Sequence, residues 1–370
     1  MSVIRLARPW LDSEELGEIT AVLDTGYLTQ GPKAAEFEAA VAGYLGIDHA
    51  VATTSATTAL HLALVALGVG HGDEVIVPSF TFPATVNVVI QQGATPVLAD
   101  IDLDGFNLSP RSLADRITPR TKAIMAVHLF GLPAPMEAIL AIARAHGIAV
   151  VEDAACALGA RLGDRPCGTL ADMACFSFHP RKIITTGEGG MLTTTSADIG
   201  ARVRRLRQHG GDRINNRFTF AEPGFNYRMS DINAAMGVAQ MRKLEWIIAE
   251  RRRLAGILGE AIRVQGLDGI RLPGEPSGVR HTFQSYVVLL DDSINRDDVI
   301  RSMGEQGIET TIGTYALHVE DYFRCRFGGN EADLPNAARA WRQTLSLPLY
   351  PGLGEADMGR IAAALAKAIR

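Results

Sequence analysis

The sequence predicts an α/β protein with a mainly parallel sheet flanked by helices, followed by a smaller α+β C-terminal domain. Short β-branched apolar runs alternate with helical stretches in the first half, which is typical of parallel sheets covered on both faces. The second half begins with a long amphipathic stretch and continues with a strand pattern and a helix pattern. Ligands of such sheets bind beyond the carboxyl ends of the strands, so we expect the functional residues there.

In the first half, five apolar runs predict strands, and two longer periodic stretches predict helices. The second of these helices ends at Gly147, a residue type that favours the position after a helix C-terminus. The predicted strands are Ala50–Ser55, Asp73–Ser79, Thr95–Ile101, Thr121–Gly131 and Ile148–Ala154, and the predicted helices are Thr57–Gly68 and Pro135–Gly147.

The second half is predicted to contain one or two long helices over Ser230–Arg263. A strand within Arg280–Asp291 and a helix over Arg296–Gly307 follow. We place a domain boundary near Trp246, which divides the chain into a large domain of residues 1–246 and a small domain of residues 247–370.

Composition limits the class of protein. The 370 residues are 47% hydrophobic with a net charge of −5, which argues for a globular protein and against a nucleic-acid binder. We interpret the basic run Arg202–Arg213 as a solvated helix face.

No apolar run approaches the roughly 20 residues that cross a bilayer. Neither a signal-peptide pattern nor a metal-type cysteine spacing is present, so we expect a cytoplasmic protein without a metal or a membrane partner.

Lys182 stands out in the stretch "CFSFHPRKIITTGEGG", residues 175–190. Its neighbours are aromatic or small, and desolvation lowers the pKa of a lysine, so that a neutral amine can form a Schiff base with a carbonyl. Taken alone, a loop lysine that reaches solvent is the commoner situation.

Other candidates lie at predicted strand ends. Asp153 directly follows an apolar strand and can hold a pyridine nitrogen protonated, although an N-cap or structural role is commoner for such an aspartate taken alone. The Ser/Thr-rich turn before the helix at Thr57 offers backbone N–H groups to a phosphate, and Ser177 adds a hydroxyl. Phe82 can stack on a planar ring or belong to the core. Together these features match the needs of pyridoxal 5′-phosphate (PLP).

Several motifs in order make the chain resemble the DegT/StrS family of PLP-dependent sugar aminotransferases, which have the aspartate aminotransferase fold (fold type I). They are "GYLTQGPKAAEFEAAVAGYLG", "GDEVIVPSFTFPAT", "VEDAACALGA", "FSFHPRKIITTGEGGM", "GFNYRMSDINAAMG" and "TLSLPLYPGL", which together span nearly the whole chain.

The resemblance implies a role for each matching residue. Lys182 matches the lysine that binds PLP, and Asp153 matches the acid that pairs with the pyridine nitrogen. Asn226 matches a residue that reaches the phosphate of the neighbouring subunit, which implies a homodimer with composite sites. Ser177 and the Ala56–Thr57 turn match contacts to the phosphate, and Phe82 matches the residue whose ring covers the cofactor. Arg228 lies near Asn226 in the sequence and is expected to bind substrate.

Two positions depart from the family pattern. Ala56 stands where glycine is common, which is compatible with a phosphate turn if its φ is negative. Cys156 stands where glutamine or histidine usually contacts the oxygen on the cofactor ring, and a thiol is a weak donor. Tyr315 and His318 resemble residues of the sugar–nucleotide channel, and a structural role for both is equally compatible with the sequence.

The implied reaction is transfer of an amino group from an amino acid, with glutamate as the expected donor, to a nucleotide-linked keto-sugar. Relatives that dehydrate sugars have histidine in place of the lysine, so Lys182 favours transamination. A keto-cyclitol acceptor and a non-catalytic PLP-binding regulatory protein remain alternatives.

Overall fold

A computed structural model describes residues 3–215 and 217–370. No helix in these ranges is both long and apolar enough to cross a membrane. The strands are β1 His49–Thr53, β2 Glu74–Pro78, β3 Phe80–Thr81, β4 Thr95–Ala99, β5 Thr121–Val127, β6 Ala149–Asp153, β7 Arg161–Leu162, β8 Arg165–Pro166, β9 Met173–Ser177, β10 Gly190–Thr194, β11 Gly211–Ile214, β12 Arg217–Phe220, β13 Ile270–Arg271, β14 Val279–Arg280, β15 Tyr286–Leu290, β16 Thr311–Ile312, β17 Tyr315–Ala316 and β18 Thr344–Leu347. The α-helices are α1 Ser13–Thr25, α2 Pro32–Leu45, α3 Ala56–Ala66, α4 Ala84–Gln91, α5 Pro110–Ala114, α6 Met136–His146, α7 Ala197–Arg207, α8 Asp231–Val264, α9 Arg296–Glu305, α10 Asp321–Phe327, α11 Pro335–Gln343 and α12 Glu355–Ile369.

The central sheet has seven strands in the order β1-β10-β9-β6-β5-β2-β4. The strands from β9 to β4 are parallel, and β10 runs antiparallel between β9 and β1. Consequently β1 runs in the same direction as the parallel strands, and their carboxyl ends share one edge of the sheet. The predicted fold class is confirmed, and the five predicted strands and two predicted helices of the first half are present with somewhat shorter bounds.

Both faces of the central sheet are buried, as its apolar strands predict. In β2, Val75 and Val77 belong to one hydrophobic core, while Ile76 between them belongs to the core on the opposite face. This alternation follows from the two-residue side-chain period of a strand. Helices such as α3 and α6 therefore cover the sheet on both sides and leave its carboxyl edge open.

A smaller sheet, in the order β13-β15-β18-β16, forms the C-terminal part with α9 and α12. The helix α8 is a single helix of 34 residues, and the predicted boundary at Trp246 lies inside it. The chain thus passes from the large sheet to the small one along a continuous helix. The division into residues 1–246 and 247–370 stays a prediction.

The interpretation of the basic run as a solvated helix face is wrong for Arg207, which is buried. Arg202 and Arg205 on α7 both pair with Glu222, and Arg207 is only 4% exposed. The Arg207 guanidinium pairs with Glu38 at 2.5 Å and donates to the Ala52 carbonyl at 2.7 Å. The partners are distant in sequence, so the run alone could not predict them.

Candidate active site

The carboxyl edge of the central sheet borders a cavity of about 590 Å³. The cavity lies where α3 begins, where β6 and β9 end, and beside the loop that carries Lys182. The structure brings together seven of the residues predicted from the sequence, namely Ala56, Thr57, Phe82, Asp153, Cys156, Ser177 and Lys182.

Asp153 ends β6 and is 6% exposed. Its carboxylate accepts hydrogen bonds from Thr85 Oγ1 at 2.8 Å and from the Ala155 N–H at 3.2 Å. Burial raises the pKa of the Asp153 carboxyl, and these two hydrogen bonds oppose the shift. A cationic ring N–H against this carboxylate would favour its ionised form, because opposite charges stabilise each other in a buried site.

Glu152, the preceding residue, points to the opposite face of the strand, as the two-residue side-chain period of a strand requires. Its carboxylate accepts from three backbone N–H groups of the turn at residues 168–171 at 2.7–3.0 Å. It also lies 2.8 Å from Nε2 of His128, whose Nδ1 accepts from the Ala134 N–H at 2.9 Å. Glu152, His128 and buried Cys167 form a cluster with ligand atoms within 4.8 Å of one another. Hydrogen bonds within the protein account for the carboxylate and the imidazole, so we assign the cluster a structural role.

The turn before α3 has the geometry of an anion site. Ser55 caps the helix by accepting from the Thr58 N–H at 3.2 Å, so the helix begins at Ala56. The first N–H groups of a helix have no partner within it, and here those of Ala56 and Thr57 belong to a turn that lines the cavity. The φ angle of Ala56 is not positive, so an alanine at this position is compatible with a phosphate turn.

Gly190 brings the turn and Ser177 close together. It is the first residue of β10 and pairs with Thr53 on one side and with Ser177 on the other. A Cβ at Gly190 would lie closer than 3.0 Å to the backbone of Ser55 and Ala56. Only glycine therefore allows the turn to pack against β10. Ser177 lies on the neighbouring strand β9, so its hydroxyl is one strand away from the turn.

Lys182 is half-buried and directed into the cavity. Its Nζ donates to Cys156 Sγ at 3.1 Å, and its backbone N–H donates to the His179 carbonyl at 2.8 Å. The loop is closed by a hydrogen bond from the Thr186 N–H to the Phe178 carbonyl at 2.9 Å. The hydrogen-bonded loop thus holds the lysine in the site. A typical surface lysine would instead extend into bulk solvent.

Two residues that support the site are absent from the sequence predictions: Thr85 donates to Asp153, and Gln284 lines the cavity. Thr85 lies in the first turn of α4, and its place in "SFTFPAT" after a strand end was the signal that could have identified it. Gln284 reaches the cavity from the segment before β15 and donates to the Arg181 carbonyl at 2.6 Å. No local pattern marks Gln284, because its contact is with a loop about 100 residues away in the chain.

Four predicted site residues do not line this cavity. Asn226 is exposed and forms a backbone bridge with Gln208, and Arg228 forms one with Thr53 beside the phosphate turn. Tyr315 borders a neighbouring cavity.

The fourth of these residues, His318, is 2% exposed, and its Nδ1 lies 2.7 Å from Ser79 Oγ. The bond to Ser79 holds the His318 ring in the protein interior, and a substrate role for His318 stays a prediction.

The residues present fit PLP. A buried carboxylate, the backbone N–H groups of the turn, a hydroxyl and an amine all line the same cavity. Phe82 is 64% exposed at the same cavity, so its ring is free to cover a planar ligand. Asp153 would hold the pyridine nitrogen, and the Ala56–Thr57 turn with Ser177 would hold the phosphate.

We predict that Thr85→Val weakens PLP binding about tenfold, since a hydrogen bond to a charged group typically contributes about 1.5–3 kcal/mol. The change keeps the shape of the side chain and removes one of two donors to Asp153. Titration of the apoprotein with PLP measures the effect. Thr85→Ser, which keeps the hydroxyl, should bind PLP nearly as the wild type does, and equal affinity of the valine variant would contradict the assigned role.

Comparison with known proteins identifies the chain's relatives. Residues 9–366 match the model of the DegT/DnrJ/EryC1/StrS aminotransferase family. GDP-perosamine synthase from Caulobacter vibrioides is 43% identical over 365 residues, which cover 98% of this chain and 97% of that protein.

Solved structures agree with this assignment. S. venezuelae DesV is 34% identical with a TM-score of 0.90, over 98% of this chain and 99% of that one. The PLP form of Spr1654 from Streptococcus pneumoniae is 26% identical with a TM-score of 0.92, over 99% of this chain and 98% of that one. The chain belongs to the DegT/DnrJ/EryC1/StrS aminotransferase family and is an aminotransferase that uses PLP.

Proposed function

We propose that this aminotransferase moves an amino group from L-glutamate to the keto carbon of a nucleotide-linked sugar by a ping-pong mechanism. The observation that carries the proposal is the shared cavity of Lys182, Asp153 and the Ala56–Thr57 turn. The GDP-perosamine synthase relative supports a nucleotide-linked sugar as the acceptor, and its name favours guanosine diphosphate as the nucleotide.

The chain's own residues supply binding and proton transfer. PLP, when bound, supplies an electron sink for the pair left at the donor's α-carbon. Asp153 keeps the proton on the ring nitrogen, which it can do because Thr85 and Ala155 support its ionised form. The Lys182 amine then moves a proton between the donor's α-carbon and C4′ of the cofactor, acting first as a base and then as an acid.

Arg181 supports an acidic amino donor. It lines the cavity and also an adjoining smaller cavity of about 130 Å³. Its backbone is held by Gln284 and by a hydrogen bond to His179 Nδ1 at 3.2 Å. Within residues 3–215 and 217–370 the guanidinium has no hydrogen bond or ion pair, so it is free to bind a carboxylate of the donor.

The donor half of the reaction is testable without an acceptor. PLP-loaded protein should release about one equivalent of 2-oxoglutarate per site on addition of glutamate, and should lose the visible absorption of its lysine-bound cofactor. Lys182→Ala should do neither, whereas Lys122→Ala, a change at an exposed lysine outside the cavity, should behave as the wild type.

The acceptor half follows on the same sample. A nucleotide-linked keto-sugar should restore the visible absorption and become aminated. Restoration by a keto-cyclitol but not by any nucleotide-linked sugar would overturn the acceptor proposed here. Failure of glutamate to release 2-oxoglutarate would overturn the donor.

We further propose that two copies of the chain form the complete site. The exposed side chain of Asn226 lies outside the cavity of its own chain, two residues before Arg228, whose backbone bridges Thr53 at the strand end before the phosphate turn. Large apolar side chains are also exposed on the chain surface, including Phe82 at 64% and the stacked pair Phe218 and Phe220 at 54% and 66%. A second copy would bury such a surface and could bring its Asn226 to the phosphate.

Mixed variants test this composite site. Asn226→Ala should lower activity at limiting PLP, and Lys182→Ala should abolish it. After the two are unfolded and refolded together, about a quarter of the wild-type activity should return, because half of randomly paired dimers are mixed and each contains one intact site. No recovery, despite dimers measured by sedimentation, would show that both residues act within one chain.

A further inference from the structure

A cavity apart from the active site lies along the edge of the central sheet. It has a volume of about 410 Å³, and one of its walls is the segment Pro96–Leu98 of β4, the last strand on that side of the sheet. Another wall is formed by the end of α10 and the glycines that follow it. This edge cavity and the active-site cavity have no lining residue in common. A ligand in the edge cavity would therefore leave the active site open.

His318 lines the edge cavity and has a ring nitrogen without a partner. The residue is only 2% exposed, and its Nδ1 lies 2.7 Å from Ser79 Oγ. Its other ring nitrogen, Nε2, is buried and has no hydrogen bond within the described part of the chain. Buried polar atoms are nearly always paired, and an unpaired one is destabilising. The free Nε2 therefore points to a group that the chain itself does not supply.

The contacts of Ser79 determine whether this nitrogen donates or accepts. Ser79 Oγ accepts from the backbone N–H of His318 at 3.2 Å, so its own hydrogen is free to be donated to Nδ1. Burial lowers the pKa of the His318 imidazole, against the effect of nearby carboxylates, so the ring is neutral and carries one proton at neutral pH. Because Nδ1 accepts, that proton lies on Nε2. The unpaired atom is thus a hydrogen-bond donor.

Two further donors without partners line the same cavity. Arg116, just after α5, is half-buried, and among residues 3–215 and 217–370 its guanidinium has neither a hydrogen bond nor an ion pair. Gly329 has a φ of 122°, which favours glycine, and its backbone N–H has no acceptor among the residues that the structure describes.

The acidic residue in the lining is already engaged. Asp333 is exposed, and its Oδ2 accepts from the Asn330 N–H at 2.8 Å, which closes the turn after Gly329. A guanidinium, an imidazole N–H and a backbone N–H therefore remain available in one cavity. Such a set of donors suits an oxyanion, because a guanidinium pairs with two oxygens of a carboxylate or a phosphate at once.

We propose that the edge cavity binds a small oxyanion, the carboxylate or phosphate group of a metabolite, with Arg116 as its charged partner and His318 Nε2–H as a second donor. The proposal goes beyond the proposed function, since it involves neither Lys182 nor the substrates of the amino transfer. It gives the unpaired groups at the edge of the sheet a common ligand.

Calorimetry on the PLP-loaded protein tests the binding. Inorganic phosphate and 2-oxoglutarate are titrated separately in a buffer without other oxyanions, and the tighter of the two identifies the group that the cavity prefers. We expect one saturable site per chain, and we expect Arg116→Gln to weaken it about tenfold or more, because the charged partner is lost.

Two control variants locate the site. Arg111→Gln, at an exposed arginine on α5 outside the edge cavity, should bind the anion as the wild type does. Arg181→Gln, a change in the active-site cavity, should also retain the binding. Loss of binding in Arg181→Gln but not in Arg116→Gln would place the anion in the active site and overturn the proposal. Failure of both anions to bind the wild type would overturn it as well.

The proton on His318 is tested independently by ¹⁵N NMR of the protein labelled at its nine histidines. The signals that His318→Gln lacks belong to His318. We expect a protonated Nε2 and an unprotonated Nδ1, and a shift of the Nε2 signal when the anion is added. A proton on Nδ1 would make Nε2 an acceptor and exclude an anion there. Thermal melts show which variants are folded, and the comparison of Arg116→Gln with Arg111→Gln does not depend on His318→Gln.

Discussion

The common direction of six strands in the central sheet is the constraint on which the site depends. Because β1 and the parallel strands end at one edge, residues far apart in sequence, from the turn at Ala56 to Ser177 at the end of β9, lie around one cavity. The antiparallel strand β10 completes this edge, since Gly190 lies between the ends of β1 and β9. The lysine loop precedes β10 directly, so sheet topology also determines where Lys182 is held.

A second constraint is the side-chain alternation at the end of β6. Glu152 turns into the core, where it binds the turn at residues 168–171 and His128, while Asp153 turns toward the cavity. One carboxylate thus stabilises the fold and the next is available to the cofactor. Burial alone would favour the neutral form of Asp153, so the hydrogen bond from Thr85 matters both to the position of this carboxylate and to its charge.

Much of the cofactor site could be predicted because its residues belong to short motifs at strand ends. Asp153, Ser177 and Lys182 were each recognisable from their local sequence, and a parallel sheet brings such positions together. Contacts between distant segments could not be predicted in this way. Gln284 at the loop of Lys182 has no local signature, and the bond of His318 to Ser79 depends on how β17 packs beside β3. The substrate side of the enzyme is built from such distant contacts, which is why its residues were harder to identify.

The central claim is that Lys182 holds PLP in the cavity that Asp153 and the Ala56–Thr57 turn line. Borohydride reduction of the PLP-loaded protein, followed by proteolysis and mass spectrometry, tests it most directly, because reduction makes the bond between a lysine and PLP permanent. The account predicts a single phosphopyridoxyl group on the peptide that contains Lys182. A label on another lysine, such as Lys122 or Lys243, with Lys182 unmodified, would contradict the account.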